Sequence, residues 1–341
     1  MLDSKSQPIS LVTGGAGFMG SHVADRLESL GHNVVVLDDL SGGFRDNVGD
    51  RIRFIEGSIT DAALVDSLFQ SHRFDFVFHM AAYAAEGLSH FIRRFNYTNN
   101  LLGSVTLINA AVRYSCRCFV FSSSIAVYGA GQAPMTENMV PQPEDPYGIS
   151  KYAVELDLMA ARRQFGLNYI IFRPHNVYGE RQNIGDKYRN VIGIFMNQVM
   201  QGLPCSIFGD GKQTRAFSYI SDVAPVIANS ICVEGAYNQT FNIGADIPYS
   251  VLALAESVQR IMGRQTGIEL LPARNEVQHA FSDHAKAQRI LGAKAAIDLD
   301  AGLKLMAHWA LRAGPRTSRE FGEIELQNGL PPSWVKACTK G

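Results

Sequence analysis

The 341-residue chain carries almost no net charge: 31 Lys and Arg stand against 32 Asp and Glu. A protein that grips nucleic acid or an anionic lipid surface needs a basic field, and none is encoded. No apolar run approaches the roughly 20 residues of a membrane-spanning helix. The first ten residues, Met1 to Ser10, are polar and lack the apolar core of a secretion signal. The few cysteines (Cys116, Cys118, Cys205, Cys232 and Cys338) are odd in number and scattered. They form no disulfide framework, and reduced thiols in a cytoplasmic protein are expected. Cys116 and Cys118 lead into an apolar stretch where both are expected to pack on one face. No partner ligands sit near them, so no metal site is predicted. There is no internal repeat and no low-complexity segment. What remains is ordinary globular composition, 46% hydrophobic and 18% charged, enough for one large domain or two modest ones.

What is present starts with a short apolar strand over 9–13. It runs into Gly14-Gly-Ala-Gly17-Phe18-Met19-Gly20 and then a helical pattern over 21–30. Strand, glycine turn and helix are the context a dinucleotide site requires. Gly14 permits the turn, Gly17 lets the backbone approach a pyrophosphate, and Gly20 lets helix and strand pack closely. The pyrophosphate would meet free N–H groups at the helix N-terminus. A second strand over 33–37 ends in Asp38 and Asp39. An acid there accepts hydrogen bonds from a ribose diol and repels a 2′-phosphate, which favours NAD over NADP.

Strands are expected over 53–57, 74–82, 118–122 and 167–173, and helices over 61–71, 99–114 and 147–165. Thr60 or Asp61 caps the first of these helices. This alternation predicts an α/β, doubly wound parallel sheet. After His175 the rhythm breaks. Long polar loops, helices over 193–201 and 251–262 and a Gly209-Asp-Gly211 turn suggest a smaller region. The tail from Pro315 is polar and carries no readable function.

Tyr147 and Lys151 lie four residues apart, on one helical face. An ammonium near a phenol favours the phenolate, so Tyr147 is expected to act as a base well below its usual pKa of about 10.

Together these motifs resemble the extended short-chain dehydrogenase/reductase family, in its branch of nucleotide-sugar 4-epimerases and dehydratases. The resemblance covers roughly residues 9 to 292. It rests on the glycine turn, Asp38, His79-Met-Ala-Ala82, Asn99, Phe121-Ser-Ser-Ser124-Ile-Ala-Val-Tyr-Gly129, Tyr147-x-x-x-Lys151 and Arg173-Pro-His-Asn-Val-Tyr-Gly179. Gly209-Asp-Gly-Lys-Gln-Thr-Arg215 and Asp222-Val follow. It implies a Rossmann-type NAD-binding domain over 1–175, with a return segment near 216–243. It also implies a smaller mixed C-terminal region over 176–341 that mainly holds the nucleotide sugar.

By the same resemblance Tyr147 takes the proton of a sugar hydroxyl while hydride passes to NAD, giving a 4-keto sugar. Ser124 binds the reacting oxygen, and Lys151 holds the nicotinamide ribose. Further cofactor contacts are implied for Phe18, Met19, Leu40, Ser41, Gly43, Ser58, Ile59, Ala81, Ala82, Tyr83, Asn99, Ser122, Pro174 and His175. Substrate contacts are implied for Glu86, Asn176, Asn190, Val191, Ile207, Phe208, Arg215, Arg274 and Glu276. A guanidinium opposite a diphosphate is chemically apt, because its fork pairs with phosphate oxygens.

The sequence departs from the family pattern in places. Ser58 stands where Asp is common, Ala84 where Lys is, and Ala216 where Asp is. His175 replaces an aromatic residue, and a structural role is expected for it. Dehydratases carry an Asp-Glu pair where this chain has Ile125 and Ala126. Decarboxylases carry a glutamate near that point, and 3,5-epimerases a cysteine that aligns with Ala126. Plain 4-epimerisation of a UDP-hexose therefore fits best. Dehydration, 3,5-epimerisation or keto-sugar reduction is the alternative, and a non-catalytic NAD-binding module is a remote one. Ala280 leaves room for an N-acetyl group at the sugar's C2. Glu86 would repel a uronic acid unless Arg93, Arg94 or Arg181 compensated. Family members are commonly homodimers through the helices near 99–114 and 147–165.

Overall fold

A computed structural model of the chain describes residues 7–130, 133–274, 276–317 and 321–335. Seven parallel strands form the central sheet: β1 (Ile9–Thr13), β2 (Asn33–Asp38), β3 (Arg53–Glu56), β4 (Phe76–His79), β5 (Cys118–Ser122), β6 (Tyr169–Pro174) and β7 (Gln239–Ile243). Their order is β7-β6-β5-β4-β1-β2-β3. The chain winds outward from β1 to β3, then restarts at β4 on the other side. That reversal opens a crevice at the carboxyl ends of β1 and β4, where such sheets bind ligands.

The helices are α1 (Phe18–Ser29), α2 (Ala62–His72), α3 (Glu86–Ser89), α4 (Arg93–Tyr97), α5 (Gly103–Arg113), α6 (Pro146–Phe165), α7 (Val191–Gln201), α8 (Ile220–Asn229), α9 (Val251–Ile261), α10 (Ala285–Leu291) and α11 (Leu299–Ala313). β4 and β5 are apolar almost throughout and wholly buried, because helices cover both faces of the sheet. One core cluster joins α1, α7, α8, α9 and α11 to one face, and a second joins α2, α5 and α6 to the other. Short strands at 205–208 and 268–271 pair beyond the sheet, as do those at 214–216, 248–250 and 279–280.

Three expectations need correction. The fourth strand ends at His79 rather than at Ala82. Beyond it the chain leaves the ladder to line the crevice, and the amides of Met80 and Ala81 still bond to Thr13. The helix expected from Asn99 begins at Arg93 and runs through a π-helical turn, Thr98–Leu102, into α5. Within that turn Asn100 bonds the backbone of Tyr83 in both directions, which fixes the loop after β4. Cys116 and Cys118 do not share a face: Cys116 precedes the strand, and the two thiols pack in opposite core clusters. Cys338 lies outside the described residues.

Candidate active site

The glycine turn is fixed by contacts that exclude any side chain. Gly14 has φ +69°, and a Cβ there would lie 2.7 Å from the backbone of Ala81. A Cβ on Gly20 would sit 2.1 Å from the Gly14 carbonyl oxygen, so α1 closes directly onto the turn. Asp38, 8% exposed, accepts hydrogen bonds from the amides of Ala16 (3.0 Å) and Leu40 (2.8 Å), one on each oxygen. Burial raises its pKa, and these backbone bonds oppose the shift. Each oxygen keeps a lone pair for a ribose hydroxyl. Asp39 is exposed and accepts from the Ser41 amide.

The crevice continues into a cavity of about 500 Å³ that reaches from the glycine turn, past Tyr147, to Arg274. Most of the expected cofactor residues lie on its wall, including Phe18, Met19, Ser41, Gly43, Ile59, Ala81, Ala82, Tyr83, Asn99, Ser122, Pro174 and His175. Leu40 and Ser58 do not. The Leu40 side chain packs toward the core, and Ser58 bonds Thr60 in the turn before α2.

Tyr147 and Lys151 project from the first turns of α6. Asp145 caps that helix by accepting the Gly148 amide at 3.0 Å, and Pro146 opens it. Lys151 is 2% exposed and donates to the Ser122 carbonyl at 2.7 Å. Its ammonium lies 5.8 Å from the centre of the Tyr147 ring. An ammonium has three donors, and among the described residues this one has a single hydrogen-bond acceptor. Burial lowers its pKa to about 7, against a smaller opposing effect of Glu155. Burial also raises the pKa of Tyr147, while the nearby Ser124 hydroxyl pulls it down. In the protein without cofactor, burial drives both groups toward neutrality, so the lowering of Tyr147 expected from Lys151 calls for the positive nicotinamide ring as well. A buried lysine with spare donors, in the same cavity as Asp38 and the glycine turn, fits a bound NAD, whose ribose hydroxyls and positive ring would supply what the protein lacks.

Behind these residues sits a network missing from the sequence reading. Arg173 and Glu155 form a buried ion pair, with Nη2 to Oε2 at 2.5 Å. Ser123 donates to the same carboxylate, and Arg173 also donates to the Tyr128 hydroxyl. The network ties β6, α6 and the serine strand together. His79 bridges Thr13 and Ser104 and stays neutral through burial. His175 stacks on His284 at 5.1 Å and contacts the Ala245 carbonyl. Burial, with His284 beside it, lowers its pKa to about 3, so it is a neutral wall residue.

At the far end Asn176, Asn190, Val191, Ile207, Phe208, Arg215, Arg274 and Glu276 all line the cavity. Arg215 is already engaged: it donates to the carbonyls of Thr214, Val277 and Gln278 and lies 3.6 Å from Glu276. Arg274 bonds Glu276 at 3.0 Å. Glu86, at the start of α3, is solvent-accessible and opens onto the cavity. Partial desolvation by the cavity walls and the carboxylates of Asp145 and Glu276 raise its pKa, against the pull of Arg215 and Arg274. Asp145 is not among the residues singled out from the sequence. An Asp-Pro pair before an apolar helix is the signal that would have found it.

The family model described as the NAD dependent epimerase/dehydratase family matches residues 10–244. The chain belongs to this family. UDP-glucose 4-epimerase of Mycolicibacterium smegmatis is 33% identical over 302 residues, covering 86% of this chain and 96% of that protein. The crystal structure of Thermotoga maritima UDP-glucose 4-epimerase with UDP-glucose superposes with a TM-score of 0.85 at 35% identity, covering 89% of this chain and 99% of that one. Bacillus cereus UDP-glucuronic acid 4-epimerase, solved with UDP-glucuronic acid and NAD, gives 0.83 at 26% identity, covering 89% and 99%. In this NAD-dependent family the cavity of the present chain has a ready reading. Its β1–α1 end fits the cofactor, and the Arg215–Arg274 end lies opposite.

Proposed function

We propose that the chain is an NAD-dependent nucleotide-sugar 4-epimerase acting on a UDP-hexose. The observation that carries this reading is the continuity of one cavity. The glycine turn and Asp38 line one end, Tyr147 and Ser124 the middle, and Arg215 and Arg274 the other. Bound NAD supplies hydride acceptance and return. The chain's own residues do the rest. Asp38 and Lys151 hold ribose hydroxyls. Tyr147 takes and returns the proton of the sugar's 4-hydroxyl, and Ser124 orients that oxygen. Arg274 meets the diphosphate, with Arg215 fixing the loop beneath it. Ile125 and Ala126 line the cavity and offer no acid or base for water elimination.

Glu86 bears on the sugar. Its carboxyl lies within electrostatic reach of Tyr147, Arg215 and Arg274, where the hexose ring of such a substrate would lie. Hexose hydroxyls can donate to it, whereas the carboxylate of a uronic acid would face it with like charge. Neutral hexoses are thus favoured, and Ala280 on the wall leaves space for an N-acetyl group. Because Glu86 opens onto the same cavity as Tyr147 and within its electrostatic reach, a second reading has it move a proton at a carbon beside the 4-keto group. One experiment separates the two: a panel of UDP-sugars incubated with the protein in D₂O and followed by NMR. The proposal expects inversion at C4 with no solvent deuterium on carbon. Uptake at C3 or C5 supports the second reading, and absence of C4 inversion across the panel sinks the first.

A homodimer in the cytoplasm completes the proposal. Leu102, Ile149, Leu156 and Phe165 are exposed on the helical segments 98–113 and 146–165, an apolar surface suited to a second copy. Light scattering at the monomer mass would refute the dimer. The free, unpaired Cys116, Cys118 and Cys205 suit a reducing compartment. Among the described residues no helix is long and apolar enough to cross a membrane.

A further inference from the structure

The polar tail contains one large apolar side chain that is almost completely buried. Trp334 is 4% exposed and packs with Ala85, Leu88, Ile92 and Tyr188 in a cluster separate from the two main cores. Its ring meets Tyr188 at 5.3 Å and Phe208 at 6.0 Å, both edge-on. The Arg274 guanidinium lies 4.5 Å from the centre of the Phe208 ring and 5.7 Å from that of Trp334. Arg274 and Phe208 line the cavity; Trp334 stands behind them. Room for this wedge depends on Gly87, where a Cβ would come within 3.3 Å of the Trp334 ring.

The same segment is fastened at two further points. Phe321 packs edge-on to Phe95 at 4.9 Å and against Tyr83 at 5.2 Å, and both of those rings line the cavity. Between the two aromatic anchors, the Glu325 carboxylate accepts the amides of Arg94 and Phe95, each at 2.8 Å. The amides of Glu325 and Leu326 donate in turn to the Phe91 carbonyl, at 2.9 and 3.2 Å. Residues 321–335 therefore run along α3 and α4 and touch cavity-lining side chains at both ends. They lie beyond the part of the chain that the family model matches.

We propose that residues 321–335 form a strap that shapes the nucleotide-binding end of the cleft, with Trp334 as a positioning residue for Arg274 and Phe208. The inference rests on the nucleotide-sugar reading. An arginine on a free stem samples many rotamers, and a stacked guanidinium bonded to Glu276 is held in one. Binding then orders less of the protein. Because the strap does not reach the reacting carbon, its loss weakens substrate and transition state alike. That raises KM and leaves kcat in place.

The test compares wild type, Trp334→Ala, Trp334→Phe and Glu325→Ala in the full chain. UDP affinity is measured by calorimetry, KM and kcat with the UDP-hexose that wild type turns over, and NAD content and melting temperature as controls. Trp334→Ala is expected to weaken UDP binding and raise KM in parallel, by about tenfold, with kcat and NAD content near wild type. Trp334→Phe, which keeps an aromatic ring behind Arg274, is expected to recover most of the loss. A folded Trp334→Ala with unchanged UDP affinity, or with kcat reduced and KM unchanged, overturns the strap. If Trp334→Ala does not fold, Glu325→Ala decides: KM raised by about threefold or more supports the strap, and unchanged KM overturns it. Wild type that binds no UDP overturns the functional reading, and the strap's role with it; UDP binding that is equal in wild type and variant removes the strap alone.

Discussion

Lys151 is held in a place that water would not choose for it. In the protein stripped of NAD its pKa falls to about 7 through burial, whereas the unfolded chain keeps that proton to about 10.5. Between those values the unfolded state binds more protons, so the lysine's contribution to stability rises with pH across that window. Melting temperature is expected to climb from pH 7 toward pH 9.5, and Lys151→Met should flatten the slope. An identical slope in the variant would show that Lys151 is not the titrating group. Tyr147→Phe keeps the ring and removes the proton carrier, so turnover should drop by about 10²–10⁴-fold with NAD retained. Near-normal turnover would remove Tyr147 from the role of base. At this scale the sequence was informative where spacing forces geometry: Tyr147 and Lys151 share a face because four residues make about one helical turn. It was silent where a partner is remote in sequence. Glu155 meets Arg173 and Ser123, and Glu86 comes within electrostatic reach of Arg215 and Arg274, only through the fold.

The element that carries Tyr147 and Lys151 is α6, and its first turn is anchored by Asp145. That carboxylate accepts the Gly148 amide and the Ser89 hydroxyl at 3.2 Å, so the cap also joins α6 to α3. Asp145→Ala should cost about 1 kcal/mol in a urea titration through loss of the cap, and lower kcat because Tyr147 lies two residues inside the helix. A variant of unchanged stability and kcat would show that the cap is redundant. Strand β5 was legible to the residue, since a continuous apolar run between polar flanks has one interpretation. The start of the helical stretch at Arg93 was not. Arg93 and Arg94 give no apolar periodicity, and one of its anchors is Glu325, more than 200 residues away. The tail looked featureless because polar composition hides one buried indole whose partners come from elsewhere in the chain.

For the molecule as a whole, the order β3-β2-β1-β4 opens the crevice, and the smaller C-terminal elements wall its far side. Doubly wound topology was readable from the alternation of strands and helices. The enclosure of the cavity was not, because it arises where the loops at residues 83, 189 and 274 converge with the short strand at 214–216. In the proposed reaction the carbon-bound hydrogen at C4 leaves and returns inside that enclosure while Tyr147 handles only the hydroxyl proton. The most direct test is to incubate UDP-glucose deuterated at C4 with the purified protein, without added cofactor, in ordinary water. The account predicts UDP-galactose that still carries its deuterium at C4. UDP-galactose with solvent hydrogen at C4 would contradict that path.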